Sequence, residues 1–214
     1  MRRFPGFILC TLLLFACPGL AQNELSHPID FSTSLQGITL VVLDLDQANI
    51  LFTNPTSGKI VIRGTITSDI PNPRFHDCSL QTRIQEKVLT VEPLIPTGRE
   101  VRGLRRHLSY DIEVQLPRNL DIRFEISKGS ITLTGPFEKK FILKMRHGQI
   151  HYRIGPSPPH DLEAKAVFGT VRSEMEDILP RPYFPLGKRI FVLTPEGKGE
   201  VYLRTTFGTI TLGH

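Results

Sequence analysis

Apolar and polar residues alternate strictly along several stretches of this chain. In the clearest stretch, from Leu120 to Leu133, every second residue is apolar on both sides of Gly129. Strict alternation is typical of a β-strand with one buried face. The apolar positions change phase at the glycine, a residue that readily adopts the backbone conformation of a sharp corner or bulge. The pattern therefore predicts a unit of strand, corner and strand with a single apolar face.

The same unit recurs and aligns on four glycines. The predicted corner glycines are Gly129, Gly148, Gly169 and Gly208, spaced by 19, 21 and 39 residues. A period of about 20 residues is typical of a solenoid, in which stacked units bury a face that none could bury alone. Stacking in chain order predicts a ladder of Ile131 on Ile150 on Val171. The longest spacing contains several prolines and predicts a loop inserted into the array.

Looser copies of the unit precede residue 110. Gly58, followed by Ile60 and Ile62, is predicted to be a fifth corner, and Gly37 opens an alternating run of Ile38, Leu40 and Val42. The segment from Leu80 to Val91 is predicted to be a hairpin. No 11-residue window has a helical period with caps. We predict an all-β, single-stranded, parallel-type β-solenoid with strand–Gly–strand repeats of about 20 residues. A β-sandwich is the alternative, because its strands also alternate at short intervals.

The first 21 residues are typical of an export signal. Arg2 and Arg3 precede an apolar run from Phe7 to Ala16, and small residues before Gln22 predict cleavage there. The predicted organisation is a signal peptide at 1–21, an N-terminal linker at 22–36 and a β-solenoid adhesin-like domain at 37–214. The mature chain is predicted to reach the periplasm, the cell envelope or the exterior. Alternatively, Leu14 to Cys17 is a lipoprotein box with Cys17 lipidated, which would anchor the protein.

The run from Leu120 to Gly135 resembles the bacterial putative-adhesin domain family, also called toast-rack domains, whose function is unknown. Its strand, corner and Ser130-Ile131-Thr132-Leu133 resemble the family repeat, and the segment Asp111 to Pro117 resembles its lead-in strand. Lys128, His147, Phe168 and Phe207 stand where the family usually has Asn. The resemblance implies a β-solenoid outside the cytoplasm and carries no established catalytic residues.

Charge and loop composition add two candidate contact sites. The net charge is +5, of which Arg2 and Arg3 supply two units, so the predicted mature chain is only mildly basic and nucleic acid is not expected as a partner. The basic stretch from residue 99 to residue 107 is a candidate for binding anionic lipid headgroups or acidic polysaccharide; alternatively it is a solvated loop. Its candidate residues are Arg99, Arg102, Arg105 and Arg106.

The second candidate is the pair of aromatic residues Tyr183 and Phe184, which lie between prolines. Aromatic side chains on a stiff loop are good contact anchors. Alternatively, they fold back as a lid over one end of the solenoid, because terminal repeats need covering.

No motif indicates catalysis or a cofactor. The chain has no phosphate-binding loop, no nucleophile elbow and no cysteine metal site. His147 and His151 lack accompanying metal ligands. The nearby His76 is compatible with a reactive thiol at Cys78. The favoured interpretation, however, is that Cys78 is a structural cysteine in a loop or at a strand edge. We therefore predict no catalytic residue, metal or cofactor, and a protein that is not an enzyme.

The predicted function is that of an extracytoplasmic envelope interaction or scaffold protein. Its loops at 92–108, 155–160 and 177–189 would contact an envelope protein, a polysaccharide or an anionic lipid surface. One alternative is a polysaccharide-active enzyme on a solenoid. Another is a lipid-anchored envelope protein that stacks end to end into a homo-oligomer, because the sequence ends six residues after Gly208 and would leave the last coil with an open edge.

Overall fold

The chain folds into β-strands joined by short connections. The computed structural model describes residues 25–54, 58–98, 103–154, 160–194 and 199–213. No α-helix occurs in these residues, and the two short helical turns, Phe75–Asp77 and Leu104–His107, are 3-10. The strands are β1 (Leu25–Ser34), β2 (Leu40–Thr53), β3 (Lys59–Ser68), β4 (Ser79–Gln85), β5 (Val88–Leu94), β6 (Leu108–Gln115), β7 (Asp121–Thr134), β8 (Lys140–Arg153), β9 (Asp161–Ser173), β10 (Arg181–Tyr183), β11 (Gly187–Val192) and β12 (Glu200–Gly213).

The strands form one large open sheet. Its order is β1-β3-β6-β2-β7-β8-β12-β9-β11-β10, and the β4–β5 hairpin joins the N-terminal half of β2 through β5. The five long strands β2, β7, β8, β12 and β9 pair in parallel, whereas the strands at both ends of the order pair antiparallel. The sequence prediction of an all-β, mostly parallel and solenoid-like fold is confirmed.

The repeats stack in register but not in chain order. Gly129, Gly148, Gly208 and Gly169 are partners across β7, β8, β12 and β9. The last strand, β12, lies between β8 and β9, so Ile210 separates Ile150 from Val171. The predicted direct contact of Ile150 with Val171 is therefore wrong, because the chain returns to the middle of the sheet after the inserted segment at 174–199.

Each long strand bends, so that its two halves enclose the core. Pairing of β7 with β8 is continuous except at Ser127 and Arg146, two residues before the glycines. Beyond this bend the inward-facing positions change phase, as the sequence predicts. The ring of Phe52, in the second half of β2, lies 4.7 Å from that of Phe124, in the first half of β7. The core is thus a wedge between the first and second halves of the strands.

The predicted fifth corner at Gly58 is wrong. Gly58 precedes β3, and a side-chain carbon built on it would contact nothing within 4 Å. In β3 the glycine facing its neighbours is Gly64, which pairs with Ile29 and Ile112 and has a φ of 150°. In β2 the corner position is Ala48, the partner of Gly129. Ile60 and Ile62 lie two and four residues after Gly58, as in the repeat. Any strand with alternating apolar residues would show the same spacing, so the match does not indicate a corner.

Two predictions near the N-terminus also need correction. Residues 22–36, predicted as a linker, include β1, which pairs with β3 over ten residues. The run Ile38, Leu40 and Val42 does not define the buried face of β2, because Val41, Leu43 and Leu45 are the buried residues. Four consecutive apolar residues at positions 40–43 permit either phase, and packing against the opposite half decides it. The predicted hairpin over Leu80 to Val91 is confirmed as β4 and β5, with Glu86 at a φ of 57° in its turn.

The inserted segment covers the sheet edge after β9. Strand β11 pairs with β9 from Lys188 to Val192, and β10 pairs with β11 through three residues. The prediction of an open edge on the last coil is wrong, because β12 is paired on both sides. The expected reason for end-to-end stacking through that coil is therefore absent from this fold.

Candidate interaction surface

Exposed apolar side chains concentrate on the β10–β11 hairpin and the residues beside it. Five large apolar residues here are between 54% and 87% exposed. They form what we call the hairpin patch: Leu179, Phe184, Leu186, Phe191 and Leu193. Solitary exposed apolar residues are normal on a protein surface, but a cluster is typical of a contact site. Half of the ten exposed large apolar residues in the described part of the chain lie within these 15 positions.

The hairpin patch has two parts. Phe184 and Leu186 lie at the turn on either side of Pro185, and the Phe184–Pro185 peptide bond is cis. Leu179, Phe191 and Leu193 line an open groove of about 900 Å³ at the other end of the hairpin. Asp177, Arg181 and Arg189 also line this groove, so it combines apolar and charged side chains.

The two aromatic residues predicted as contact anchors have different surroundings. The ring of Tyr183 is half-buried, and Nζ of Lys165 lies 4.2 Å from its centroid. Such a cation–π contact holds the tyrosine against the sheet. Phe184 is the most exposed large apolar residue described and touches no other aromatic ring. The hairpin that carries the pair lies against the edge of β9, and Phe184 projects from it into solvent.

The predicted basic loop is largely committed to contacts within the protein or lies outside the described residues. Arg99 and Arg102 lie outside them. Arg105 donates hydrogen bonds from Nε to Asp46 at 2.8 Å and from Nη2 to Asp44 at 3.2 Å. Arg106 is exposed, and its backbone carbonyl accepts a hydrogen bond from Gln47. Because two carboxylates neutralise Arg105, this stretch offers less free positive charge than the sequence predicts.

One pairing of carboxylates could not be read from the sequence. Asp44 of β2 and Glu125 of β7 are register partners, although 80 residues separate them. Arg105 binds Asp44, while Glu125 accepts hydrogen bonds from Arg123 and Lys144. The bond from Arg123, aided by Lys144, holds the pKa of Glu125 below its usual range. A carboxylate held in its ionised form is unsuited to donate a proton as a general acid.

The two histidines beside the second corner have ordinary surface contacts. His147 stacks on Phe207 at 5.0 Å, and Phe207 stacks on Phe168 at 5.2 Å, which forms an aromatic row along the corner. His151 faces Gln149 at 3.3 Å. Within the described ranges, no three His, Cys, Asp or Glu side chains are grouped to hold a metal ion.

Cys78 is buried at the end of the first helical turn, directly before β4, and is not arranged as a nucleophile. Its sulfur lies 4.0 Å from the carbonyl oxygen of Arg74. Burial, and then the charge of Asp77, raise the pKa of this thiol. The thiol therefore stays protonated near neutral pH, whereas a nucleophilic cysteine needs a lowered pKa.

The outer face of the second strand halves is polar and mostly uncharged. Across β2, β7, β8, β12 and β9 one row consists of Asn49, Ser130, Gln149, Thr209 and Thr170. The next row contains Thr132, His151, Thr211 and Arg172, and Thr134 and Arg153 follow. These rows carry no ladder of carboxylates.

Helices able to cross a bilayer are not found in the part of the chain that the structure describes.

Comparison with known proteins gives structural neighbours only. No protein-family model matches the chain, and no curated protein matches it. A putative cell adhesion protein from Clostridium sporogenes is 10% identical, with a TM-score of 0.48, over 89% of this chain and 99% of that one. A putative adhesin from Bacteroides fragilis is 12% identical, with a TM-score of 0.28, over 87% of this chain and 97% of that one.

A putative adhesin from Parabacteroides distasonis is 7% identical, with a TM-score of 0.30. It is matched over 89% of this chain and 71% of its own length. These three solved structures are thus described as one putative cell adhesion protein and two putative adhesins, from three different bacteria.

Proposed function

We propose that the protein is a non-catalytic interaction or scaffold protein of the cell envelope, which contacts its partner through the hairpin patch. The supporting observation is the concentration of exposed apolar side chains on one hairpin. Exposed apolar area on a folded protein is unfavourable in water and becomes favourable when a partner covers it. The predicted export signal supports a site of action outside the cytoplasm.

The rest of the molecule is suited to holding this hairpin rigidly. Strand β11 pairs with β9 over five residues, and β9 pairs with β12 over twelve of its thirteen residues. The buried side of these strands consists of residues such as Ala164, Leu203 and Ile190, all at most 1% exposed. A contact element on such a support loses little conformational freedom on binding, which favours affinity.

The enzyme alternative is less well supported by the described residues. The carboxylates that lie together, Asp44, Asp46 and Glu125, are each held by a neighbouring cation. Among the residues that the structure describes, the hairpin groove is lined by a single carboxylate, Asp177. Hydrolysis of a polysaccharide ordinarily needs two facing carboxyl groups, one of them able to donate a proton.

The test is sedimentation of the purified protein with envelope fractions of the cells that produce it. Replacing both turn residues, Phe184→Ser and Leu186→Ser, should lower binding at least about tenfold, because burying each side chain contributes roughly 1.5–3 kcal/mol. The matched control is Ile84→Ser with Leu94→Ser, which removes two exposed apolar residues from the β4–β5 hairpin. Equal binding of the two double variants would show that the hairpin patch is not the contact surface.

A further inference from the structure

Five cationic side chains lie side by side in one row across five neighbouring strands, β8, β12, β9, β11 and β10. Arg204 of β12 is the register partner of Lys144 on β8 and of Lys165 on β9. Lys165 is in turn the partner of Arg189 on β11, and Arg189 is the partner of Arg181 on β10. We call Lys144, Arg204, Lys165, Arg189 and Arg181 the cationic row. With strands spaced by roughly 4.8 Å, the row is about 19 Å long.

All five side chains lie on the outer face of the sheet. Leu203 and Ala164, which precede Arg204 and Lys165, are fully buried, so the alternation of a strand turns the cations outward. Residues directly opposite each other in neighbouring strands share a face, which places Arg189 and Arg181 on the same side. The position of Lys165 over the ring of Tyr183 agrees with this arrangement.

Among the described residues, two of the five cations in the row have an ion-pair partner and three have none. Lys144 pairs with Glu125 at 3.3 Å. Nε of Arg189 lies 3.1 Å from Glu163, as an ion pair without hydrogen-bond alignment. Within the described residues, Arg204, Lys165 and Arg181 form no ion pair. Like charges opposite each other destabilise a sheet, so an anionic surface placed over this row would relieve a repulsion built into the fold.

The row crosses the hairpin between the two parts of the hairpin patch. Phe184 and Leu186 lie on one side of it, at the turn. Phe191 and Leu193 follow Arg189 at alternate positions of the same segment, and the Arg189 guanidinium lies 5.4 Å from the centroid of the Phe191 ring. Positive charge beside exposed apolar side chains is typical of proteins that bind the interface of an anionic membrane.

We propose that this face docks on an anionic phospholipid bilayer, with the cationic row over the headgroups and the apolar turn inserted among the acyl chains. The inference rests on the proposed contact role of the hairpin and names its partner. A bilayer satisfies both halves of the surface at once, since it offers a plane of negative charge above hydrocarbon. An acidic polysaccharide would satisfy the cations but would leave the exposed Leu179, Phe184 and Leu186 uncovered.

The first experiment uses the absence of tryptophan from the chain. The variant Phe184→Trp carries a single tryptophan at the turn, excited selectively over the four tyrosines, and Ile84→Trp places the same reporter on the other hairpin. With phosphatidylcholine vesicles containing phosphatidylglycerol, the emission of Phe184→Trp should shift to shorter wavelength, and added salt should reduce this shift. Vesicles of phosphatidylcholine alone should give little shift. No shift with anionic vesicles, or an equal shift for Ile84→Trp, would overturn the proposal.

The second experiment tests the charges by vesicle sedimentation. Replacing Arg181→Gln together with Arg204→Gln should weaken binding to anionic vesicles about thirtyfold, given the usual contribution of each basic residue near a membrane. The control is Arg153→Gln together with Arg172→Gln, which removes the same charge from the outer face of the second strand halves. All four arginines are exposed, so folding should survive, as thermal unfolding will check. Equal loss of binding in both double variants would contradict a specific role of the row.

The outcomes also separate this inference from the proposed function. Binding to envelope fractions that requires Phe184 and Leu186, without any binding to vesicles, would keep the contact role of the hairpin and refute the lipid partner. Binding to polygalacturonate through Arg181 and Arg204, without binding to vesicles, would identify an acidic polysaccharide instead.

Discussion

At the scale of single residues, close backbone approach explains the glycines at the corners. A side-chain carbon on Gly148 would overlap the carbonyl oxygen of Gly129 in the neighbouring strand, and the φ of Gly148 is 136°. Gly129 stands in the same relation to the carbonyl oxygen of Ala48. Each corner glycine therefore makes room for the backbone of the next coil. Gly58, which the sequence pattern also selects, has open space around it.

Replacing Gly148→Ala should lower the free energy of unfolding by at least about 2 kcal/mol, because both the backbone angle and the neighbouring carbonyl oppose a side chain. The matched control Gly58→Ala should change stability by less than about 0.5 kcal/mol, as surface substitutions usually do. Urea unfolding followed by circular dichroism measures both. Similar losses in the two variants would refute the close-approach explanation.

His160 gives the fold a dependence on pH. Its side chain is fully buried, and Nε2 lies 2.9 Å from the hydroxyl of Tyr152. Burial lowers the pKa of His160 to about 4, with partial opposition from Asp161. As pH falls below about 6.5, the unfolded chain takes up a proton that the folded protein does not. The stabilisation is therefore complete above about pH 6.5 and is lost as pH falls towards 4.

We expect the wild-type protein to lose up to roughly 3 kcal/mol of unfolding free energy from this group between pH 7 and pH 4. The variant His160→Gln should be less stable at pH 7, because the packing around Tyr152 changes, but its stability should fall less over the same range. Denaturant titrations at several pH values provide the measurement. An unchanged pH dependence in the variant would show that other groups dominate.

At the scale of the elements, β12 is the strand on which the array most depends. It pairs with β8 over thirteen residues and with β9 over twelve. Its inward-facing residues Val201, Leu203, Ile210 and Leu212 are fully buried. The connection through 174–199 forms the β10–β11 hairpin on its way, so the same segment covers one edge and carries the contact surface. Strand order thus determines where the hairpin patch is presented.

The substitution Ile210→Asp should unfold or aggregate the protein, because it places a carboxylate in the core between Ile150 and Val171. The neighbouring Thr211→Asp should be tolerated, since Thr211 faces outward beside His151 and Arg172. Soluble yield and thermal unfolding distinguish the two. A cooperative transition of Ile210→Asp at the wild-type temperature would contradict the stacked core.

At the scale of the whole molecule, the distribution of charge matters more than its total. The net charge of +5 gives little indication of a charged binding surface. In the folded protein, however, Asp44 and Glu125 adjoin the cationic row through Lys144, the register and ion-pair partner of Glu125, so the charge changes from acidic at β2 and β7 to basic towards β10. The exposed apolar residues are also concentrated at the end that carries β10 and β11. Neither asymmetry is visible in the composition.

The sequence by itself determined the local structure of this protein. Alternation indicates which side of a strand is buried, and a phase change at a glycine indicates a bend. Both patterns involve residues only a few positions apart, so both are visible in the sequence. The strand–corner–strand unit and the β4–β5 hairpin could therefore be predicted. The buried phase of β2 could not, since a continuous apolar run permits both alternatives.

Only the tertiary structure decided which strands are neighbours. The insertion of β12 between β8 and β9, the pairing of Asp44 with Glu125 and the alignment of the cationic row join residues that are far apart in the chain. Alternation is the same for every coil and so carries no record of their order. That order is selected when the whole core packs, because the positions of the loops and the fit of side chains between the two strand halves distinguish one arrangement from the others.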